Sequence, residues 1–311
     1  MSKNCFLFSG QSSQYVGMAK EFYEKSPAVV EIFETAKSIL GFDLYEICTS
    51  SDEATLAKTI YSQPAIFATS LAALEVATDS GITASAVAGH SLGEYAAMVA
   101  CSMISIEDGF RLIKARSEAM QKCADNSSGA MCAILGLDAK EIEKVCEETD
   151  GYVVAVNYNS SAQTVIAGDS EAVDKAIETF TSMKAKAIKL KVASAFHSEI
   201  MRPAADEFYE AVKEMDINFR EPTIDFYSNL NGAVLGDFNN MPEYLAKHII
   251  SPVRFTSELA DMKENGYENY IELGPNKVLT GLVKKTLKGV TAVNIENLST
   301  LDKALNSLFS E

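Results

Sequence analysis

Short apolar runs and longer stretches with helical periodicity alternate along the 311-residue chain. Apolar runs of four to eight residues are typical of buried strands, and apolar positions spaced three and four apart are typical of helices with one buried face. Strands are predicted over residues 6–9 and 84–88, and helices over 19–25, 28–39, 62–76, 94–99 and 106–123. This alternation of strands and helices predicts an α/β fold.

The pattern changes in the middle of the chain. A strand, a helix, two strands, a helix and a strand are predicted over residues 130–137, 139–148, 152–156, 164–167, 171–183 and 185–192. This is the order of a ferredoxin-like unit. Longer helices and short strands then return, over 201–215, 223–228, 241–249, 253–265 and 269–273. We therefore predict a discontinuous large subdomain, residues 1–125 and 198–311, with a ferredoxin-like small subdomain, residues 126–197, inserted into it.

One predicted strand ends in Gly89-His90-Ser91-Leu92-Gly93, and a predicted helix follows at once. The pattern G-x-S-x-G between a strand and a helix is the nucleophile elbow. Its small residues let the backbone turn tightly, and the amides at the start of the helix face the place where an oxyanion would form. Ser91 is therefore a candidate nucleophile. The alternative is a glycine-bounded turn without chemistry.

A serine nucleophile needs a base that accepts its proton, and the chain has three histidines. His90 adjoins Ser91, and neighbours in a tight turn usually point apart. His197 lies where the small subdomain is expected to rejoin the large one, which is a favoured place for a cleft. His248 lies near the end of a predicted helix. The residues alone leave both His197 and His248 open as the base, and their pattern argues against a zinc site.

Two further polar features bear on a site. The loop over residues 9–18 follows the first predicted strand, and ligands of α/β sheets bind at that edge. Arg116 lies on the amphipathic helix over residues 106–123, where an arginine usually faces solvent. It follows the elbow helix closely, however, so that the alternative is a guanidinium that reaches the cleft and binds a carboxylate through two hydrogen bonds.

Composition and charge narrow the function classes. The six cysteines are scattered, no apolar run approaches the roughly 20 residues of a membrane span, and the first strand leaves no room for a signal peptide. We therefore expect a cytoplasmic protein with reduced thiols and no membrane contact. The net charge of −16 argues against nucleic acid. Two lysine-rich stretches are either solvated faces or docking surfaces for an acidic partner: Lys184, Lys186, Lys189 and Lys191, and Lys284, Lys285 and Lys288.

Together these features resemble the malonyl-CoA:acyl carrier protein transacylases of fatty acid synthesis and the acyltransferase domains of polyketide synthases. The matching segments run in family order: Gly10-Gln11-Ser12-Ser13-Gln14, Gln63-Pro64-Ala65, Gly89-His90-Ser91-Leu92-Gly93-Glu94, Arg116, residues 157–168, Phe196-His197-Ser198, Tyr227-Ser228-Asn229, Ser251-Pro252-Val253-Arg254-Phe255 and Glu272-Leu273-Gly274-Pro275. The resemblance implies an α/β-hydrolase-like large subdomain with an inserted ferredoxin-like small subdomain, in agreement with the pattern above.

The resemblance also implies a mechanism. Ser91 is expected to be the acylated nucleophile and His197 its general base and acid, and the backbone amides of Gln11 and Leu92 are expected to form the oxyanion hole. Malonyl-CoA is the expected substrate and CoA the first product. The phosphopantetheine thiol of an acyl carrier protein, bound transiently, is the expected acceptor.

Substrate recognition is implied in the same way. Arg116 is expected to bind the malonyl carboxylate, and the backbone carbonyl of His248 is expected to orient His197. Three more residues are expected to bind substrate: Gln63, Asn159 and Phe196. Phe196 lies beside the base, where it would either narrow the pocket against branched acyl groups or only pack.

Two positions depart from the family pattern. Ser12 stands where the family usually has glycine, so the loop backbone must accept a side chain there. His248 stands where the family commonly has glutamine. In the family it is the backbone carbonyl of that residue that orients the catalytic histidine, so a different side chain need not abolish the role.

Three other functions share parts of the pattern. A serine hydrolase shares the elbow, but its histidine normally lies near the C-terminus, whereas His197 lies well before it. A partner-binding protein with a vestigial site is the second alternative. A polyketide acyltransferase that acts in trans is the third and the nearest. For the transacylase itself we expect a monomer without a bound metal or cofactor.

Overall fold

The computed structural model describes residues 3–190, 192 and 194–309, so Lys191 of the first lysine stretch lies outside the described residues. The strands in the described part of the chain are β1 (Lys3–Phe8), β2 (Ala86–Gly89), β3 (Gly129–Leu135), β4 (Val153–Ser160), β5 (Gln163–Asp169), β6 (Lys186–Lys189), β7 (Asp225–Ser228), β8 (Ala233–Val234), β9 (Tyr267–Leu273) and β10 (Thr291–Ile295).

The helices lie between these strands and cover the sheets. They are α1 (Lys20–Lys25), α2 (Pro27–Leu40), α3 (Leu44–Ser50), α4 (Glu53–Leu56), α5 (Thr59–Asp79), α6 (Gly93–Ala100), α7 (Ile106–Asp125), α8 (Ala139–Glu148), α9 (Ser170–Ser182), α10 (Arg202–Glu214), α11 (Met241–Ile249), α12 (Phe255–Glu264), α13 (Val278–Thr286) and α14 (Leu298–Phe309), with a 3₁₀ turn at Glu199–Met201. Among the described helices, none combines the length and the apolar character that a membrane span requires.

Six strands form a mainly parallel sheet in the order β10-β9-β1-β2-β7-β8. The pairs from β10 to β7 are parallel, and β8 pairs antiparallel with β7 at one edge. Alternate residues of β1 enter different cores, since Phe6 and Phe8 pack on one side and Cys5 and Leu7 on the other. Both faces of the strand are therefore covered, which explains its uninterrupted apolar run.

The other four strands form an antiparallel sheet in the order β4-β5-β3-β6. Helices α8 and α9 cover one face of it around Cys132, Ile166 and Phe180. Together with the chain order β3-α8-β4-β5-α9-β6, this strand order is that of a ferredoxin-like unit. The α/β fold class with its two kinds of sheet is thus confirmed, while the subdomain boundaries at residues 125 and 198 stay a prediction.

Backbone hydrogen bonds join the small sheet to the loop between α11 and α12 of the large subdomain. The N–H of Val253, which precedes α12, donates to the carbonyl of Val156 (2.8 Å), and the carbonyl of Val253 accepts from the N–H of Tyr158 (2.9 Å). These bonds make Asn157 and Val253 an isolated parallel bridge. We call this bridge the seam. It fixes β4 of the small sheet against the loop between α11 and α12.

The predicted start of the helix at residue 62 is wrong, because α5 begins at Thr59. Pro64 therefore lies in the helix interior rather than in its first turn, and it offers no N–H to the carbonyl four residues before it. The N–H of Thr59 donates to the side chain of Gln121 on α7 (2.9 Å). Contact with a neighbouring helix thus stabilises a start that the local sequence does not signal.

Candidate active site

The turn between β2 and α6 depends on two glycines. A Cβ atom on Gly89 would lie 2.0 Å from the carbonyl carbon of Gly93, and a Cβ on Gly93 would lie 2.0 Å from the carbonyl oxygen of Phe8. Only glycine fits at either position. Ser91 between them has a left-handed backbone, with φ of 54°. This is the predicted elbow, and it holds Ser91 at the carboxyl end of the parallel sheet.

His197 is the histidine that contacts the serine. Its Nε2 lies 2.7 Å from the Oγ of Ser91. Its Nδ1 lies 2.9 Å from the carbonyl oxygen of Ser251 and 3.2 Å from that of His248. Because a carbonyl only accepts, Nδ1 carries the proton and Nε2 is left to accept the proton of Ser91. Of the two candidate bases, the geometry therefore favours His197.

Burial keeps this base unprotonated. His197 is buried, and burial together with the nearby guanidinium of Arg116 lowers its pKa to about 3. His90, the third histidine, points elsewhere, since its Nε2 lies 2.8 Å from Oδ1 of Asn159. Asn159 thus lies beside the site and holds the ring of His90.

Arg116 faces the cleft and not solvent. It is 1% exposed, its Nη1 donates to Oε1 of Gln63 (2.7 Å), and its Nη2 donates to Oγ of Ser91 (3.3 Å). Its Nε has no partner in the described part of the chain, and no carboxylate there lies within ion-pair distance of the guanidinium. The usual solvent-facing placement is therefore wrong for this arginine. A buried cation without a carboxylate in direct contact is costly unless an anion binds beside it.

A cavity of about 220 Å³ opens in front of these groups. The loop after β1, the elbow, α7, the small sheet and the start of α13 all contribute to its wall: Gln11, Ser12, His90, Ser91, Arg116, Met131, Ala133, Asn159, Val165, Phe196, His197 and Val278. Gln63 is fully buried and lies behind Arg116, outside this lining. Its Oε1 accepts from Nη1 of Arg116, so Gln63 contacts the guanidinium, and the expectation that it binds substrate stays a prediction.

Two backbone amides bear on the oxyanion hole, since Leu92 follows Ser91 in the chain and Gln11 lines the same cavity as Ser91. Among the described residues, no acceptor is recorded for the N–H of Gln11 or for that of Leu92. Ser12, the first departure from the family pattern, has a left-handed backbone with φ of 77°. This conformation explains the family's usual glycine, since a side chain there costs free energy that glycine avoids.

Sequence reasoning missed part of the histidine's environment. The carbonyl of Ser251 is closer to Nδ1 of His197 than that of His248, and only the latter was predicted. The motif Ser251-Pro252-Val253-Arg254-Phe255 signalled that this loop matters, but a motif does not show which carbonyl points inward. In the described part of the chain, no group of three or more His, Cys, Asp or Glu side chains is placed to hold a metal ion.

The α/β fold, the elbow and the histidine beside its serine are features that acyltransferases share with serine hydrolases. Comparison with known proteins assigns the chain to the acyltransferases, since residues 5–304 match the family described as the acyl transferase domain. The chain belongs to that family and, within it, to the malonyl CoA-acyl carrier protein transacylases.

Named relatives and solved structures give the extent of the likeness. The malonyl CoA-acyl carrier protein transacylase of Bacillus subtilis is 38% identical over 315 residues, which cover 100% of this chain and 99% of that protein. The crystal structure of the Clostridium perfringens transacylase is 36% identical with a TM-score of 0.94, over 99% of this chain and 97% of that one. A malonyl-transacylase in complex with a type II PKS acyl-carrier protein is 34% identical with a TM-score of 0.93, over 98% and 100%.

Proposed function

We propose that the chain transfers the malonyl group from malonyl-CoA to the phosphopantetheine thiol of an acyl carrier protein, through a malonyl ester of Ser91, and so supplies fatty acid elongation. One observation carries the choice of acyl group. The guanidinium of Arg116 is buried, lacks a carboxylate partner among the described residues and lies 3.3 Å from the Oγ of Ser91. An acyl group on that oxygen that ends in a carboxylate supplies the missing charge.

In the first half-reaction, the Oγ of Ser91 attacks the thioester carbonyl and its proton passes to Nε2 of His197. The amides of Gln11 and Leu92 donate to the developing oxyanion. Removal of one such donor typically lowers the rate by about a hundredfold to a thousandfold. The carbon–sulfur bond then breaks. The proton on His197 goes to the CoA thiolate, and CoA leaves.

In the second half-reaction, the thiol of the carrier protein replaces CoA. His197 accepts the thiol proton, the sulfur attacks the ester carbonyl, and the carbon–oxygen bond to Ser91 breaks. The same proton returns to the serine oxygen. Each half-reaction balances with residues of this chain and the two thiols, so that the proposal needs no bound cofactor or metal.

The test exchanges Arg116 for alanine. Loss of one partner of a buried charge pair costs about 3–5 kcal/mol, so transfer from malonyl-CoA should fall at least about a hundredfold. Transfer from acetyl-CoA should fall much less, because acetyl has no carboxylate. The kcat/KM values for both donors, measured with wild type and Arg116→Ala, decide the matter. Equal losses for the two acyl groups would remove the role of Arg116.

Incubation of the enzyme with malonyl-CoA, in the absence of carrier protein, distinguishes a transacylase from a hydrolase. A transacylase should release about one equivalent of CoA in a burst, accompanied by a malonyl adduct on Ser91 that is absent in Ser91→Ala. Continuous release of free malonate over many turnovers would instead establish a hydrolase. A chain that forms no adduct would act as a binding protein.

The second lysine stretch is the better candidate for docking the carrier protein. Lys284 and Lys285 lie in the last turn of α13, Lys288 follows it, and all three are exposed. The same helix begins at Val278, which lines the cavity and is 51% exposed. In the first stretch, by contrast, the Nζ of Lys189 lies 2.6 Å from Oδ1 of Asp174, which offsets its charge.

A further inference from the structure

The side-chain amide of Asn229 lies directly beneath the elbow and is fully buried. Its Oδ1 accepts from the N–H of Ser91 (2.7 Å) and lies 3.1 Å from Nε2 of His248. Its Nδ2 donates to the carbonyl of Gly89 (2.7 Å) and to Oε1 of Glu258 (2.8 Å). A carboxamide has two N–H groups and two acceptor positions, so every hydrogen-bonding position of this side chain is used.

These four partners fix the side chain in one orientation. The backbone pairing of β2 with β7 ends at Val87 and Phe226. Beyond that point the amide of Asn229 continues it, since it bonds to the carbonyl of Gly89 and to the N–H of Ser91, as a strand would. The side chain of Asn229, which does not line the cavity, therefore holds the left-handed backbone of Ser91 in place.

His248 contacts both halves of the site. Its backbone carbonyl accepts from Nδ1 of His197 (3.2 Å), and its ring faces Asn229. Because Oδ1 of Asn229 only accepts, Nε2 of His248 carries the proton. The other ring nitrogen, Nδ1, is buried without a partner among the described residues, and burial lowers the pKa of His248 well below its usual range. The ring is thus a neutral donor, which is what a glutamine amide would also provide.

We propose that the side chains of Asn229 and His248 are positioning residues that form one buried bridge between the backbone of Ser91 and the loop that orients His197. The bridge sets the separation between nucleophile and base. The inference rests on the proposed function only for the identity of these two reacting residues. It assigns a role to the side chain of His248, in addition to that expected of its carbonyl.

The test compares His248→Leu with His248→Gln in the full chain. Leucine keeps the backbone carbonyl and the volume but has no donor for Asn229, whereas glutamine keeps the donor. The first readout is the rate at which a fluorophosphonate labels Ser91, because this reagent needs only an activated serine. The second is kcat and KM for self-acylation by malonyl-CoA. We expect His248→Leu to lose tenfold to a hundredfold in labelling rate and in kcat, with KM within about twofold, and His248→Gln to restore both rates.

Tyr244→Phe is the matched control. Tyr244 lies on the same helix and its ring stacks on that of His248. Its hydroxyl oxygen lies 2.9 Å from Oε2 of Glu94 and 2.8 Å from Oγ of Ser228. Phenylalanine keeps the ring, and the hydroxyl that it removes makes no hydrogen bond to Asn229 or His197. It should lower the melting temperature and leave the labelling rate within twofold. Asn229→Ala should reproduce the loss seen with His248→Leu.

The outcomes separate this inference from the proposed function. Folded His248→Leu and Asn229→Ala proteins that label at the wild-type rate would overturn the bridge. Equal losses in His248→Leu and His248→Gln would overturn it as well. If fluorophosphonate labels the wild type, the variants follow the expected order and malonyl-CoA gives no adduct, the bridge stands and the proposed function fails.

Discussion

At the residue scale, the protonation state of His197, the proposed base, is expected to set the pH range of the reaction. Burial and the Arg116 guanidinium lower its pKa to about 3, so the imidazole stays neutral well below the usual histidine pKa. We expect single-turnover acylation by malonyl-CoA to change less than about twofold between pH 7.5 and pH 5.5. A base with an ordinary pKa of about 6.5 would lose about tenfold over that range. A fall of that size with a midpoint near 6.5 would contradict the expectation.

Glu94 makes the stability of the fold depend on pH. Burial raises the pKa of its carboxyl group to about 8, although the N–H of Asn229 and the hydroxyl of Tyr244 act against this. The folded protein therefore holds a proton that the unfolded chain has released above about pH 4.5, so this group destabilises the fold as pH rises from 4.5 to 8. Burial also lowers the pKa of all three histidines, so they act below about pH 6.5, where the unfolded chain binds protons that the folded histidines do not.

The window from pH 6.5 to 8 isolates the carboxyl contribution. We expect the free energy of unfolding to decrease across it in wild type, with Glu94 contributing at most about 1.4 kcal/mol per pH unit. In Glu94→Gln this contribution should vanish and the slope should become shallower. Urea unfolding at several pH values measures both slopes. Identical slopes would mean that Glu94 is ionised in the folded protein.

The placement of site residues was predictable where a local motif or a family position marks them. Ser91 follows from its elbow, and the family pattern singled out His197 from the three histidines. Asn229 stood in a matched segment, but its four contacts come from three other parts of the chain, namely the elbow, α11 and α12. No local pattern shows that such a side chain uses all of its hydrogen bonds.

At the element scale, the placement of α6 depends on one close contact. Gly93 at the start of α6 lies against the end of β1, and an added Cβ would meet the carbonyl oxygen of Phe8 at 2.0 Å. Backbone cannot yield as a flexible side chain does, so Gly93→Ala must push the helix off the sheet. We expect a loss of about 3 kcal/mol or more in unfolding free energy, with loss of fluorophosphonate labelling.

Gly281→Ala is the control for that prediction. Gly281 lies within α13, and its added Cβ would meet nothing within 4 Å. Because alanine favours helix over glycine, this variant should gain up to about 1 kcal/mol and keep its activity. Urea unfolding compares the two. A Gly93→Ala protein as stable as wild type would show that α6 can move without consequence.

Elements with complete local signals were predicted best. Helix α8 spans 139–148 as predicted, and it begins with a capping box between Asp138 and Glu141. Helix α11 also has its predicted bounds, with a proline in its first turn. No element was predicted after residue 273, although β10 extends the parallel sheet. Buried and exposed residues do not alternate regularly along β10. Hydrogen bonds to β9, which its local sequence does not signal, stabilise the strand.

At the scale of the whole molecule, the net charge of −16 opposes association with an acidic carrier protein. The proposed surface of Lys284, Lys285 and Lys288 reverses that sign locally. Changing all three to glutamate should raise the KM for carrier protein about tenfold or more at low salt. Self-acylation by malonyl-CoA should be unaffected. The effect should shrink as ionic strength rises, because salt screens exposed charges.

A charge-matched control lies on the far side of the small sheet. Lys140, Lys144 and Lys175 are exposed on α8 and α9, which cover the face opposite the cavity. Their reversal changes the net charge by the same amount. If reversal of the control lysines raises the KM for carrier protein equally, then the electrostatic field of the whole molecule sets this KM, and the proposed docking surface is wrong.

The seam between Asn157 and Val253 limits how this enzyme can be rebuilt from parts. Val253 comes two residues after Ser251, whose carbonyl accepts a hydrogen bond from Nδ1 of His197. The ferredoxin-like unit therefore cannot be exchanged independently of the large subdomain, although it is continuous in the chain. A hybrid that takes this unit from a relative must also take the loop around Val253, because otherwise mismatched backbones meet within a few residues of the base.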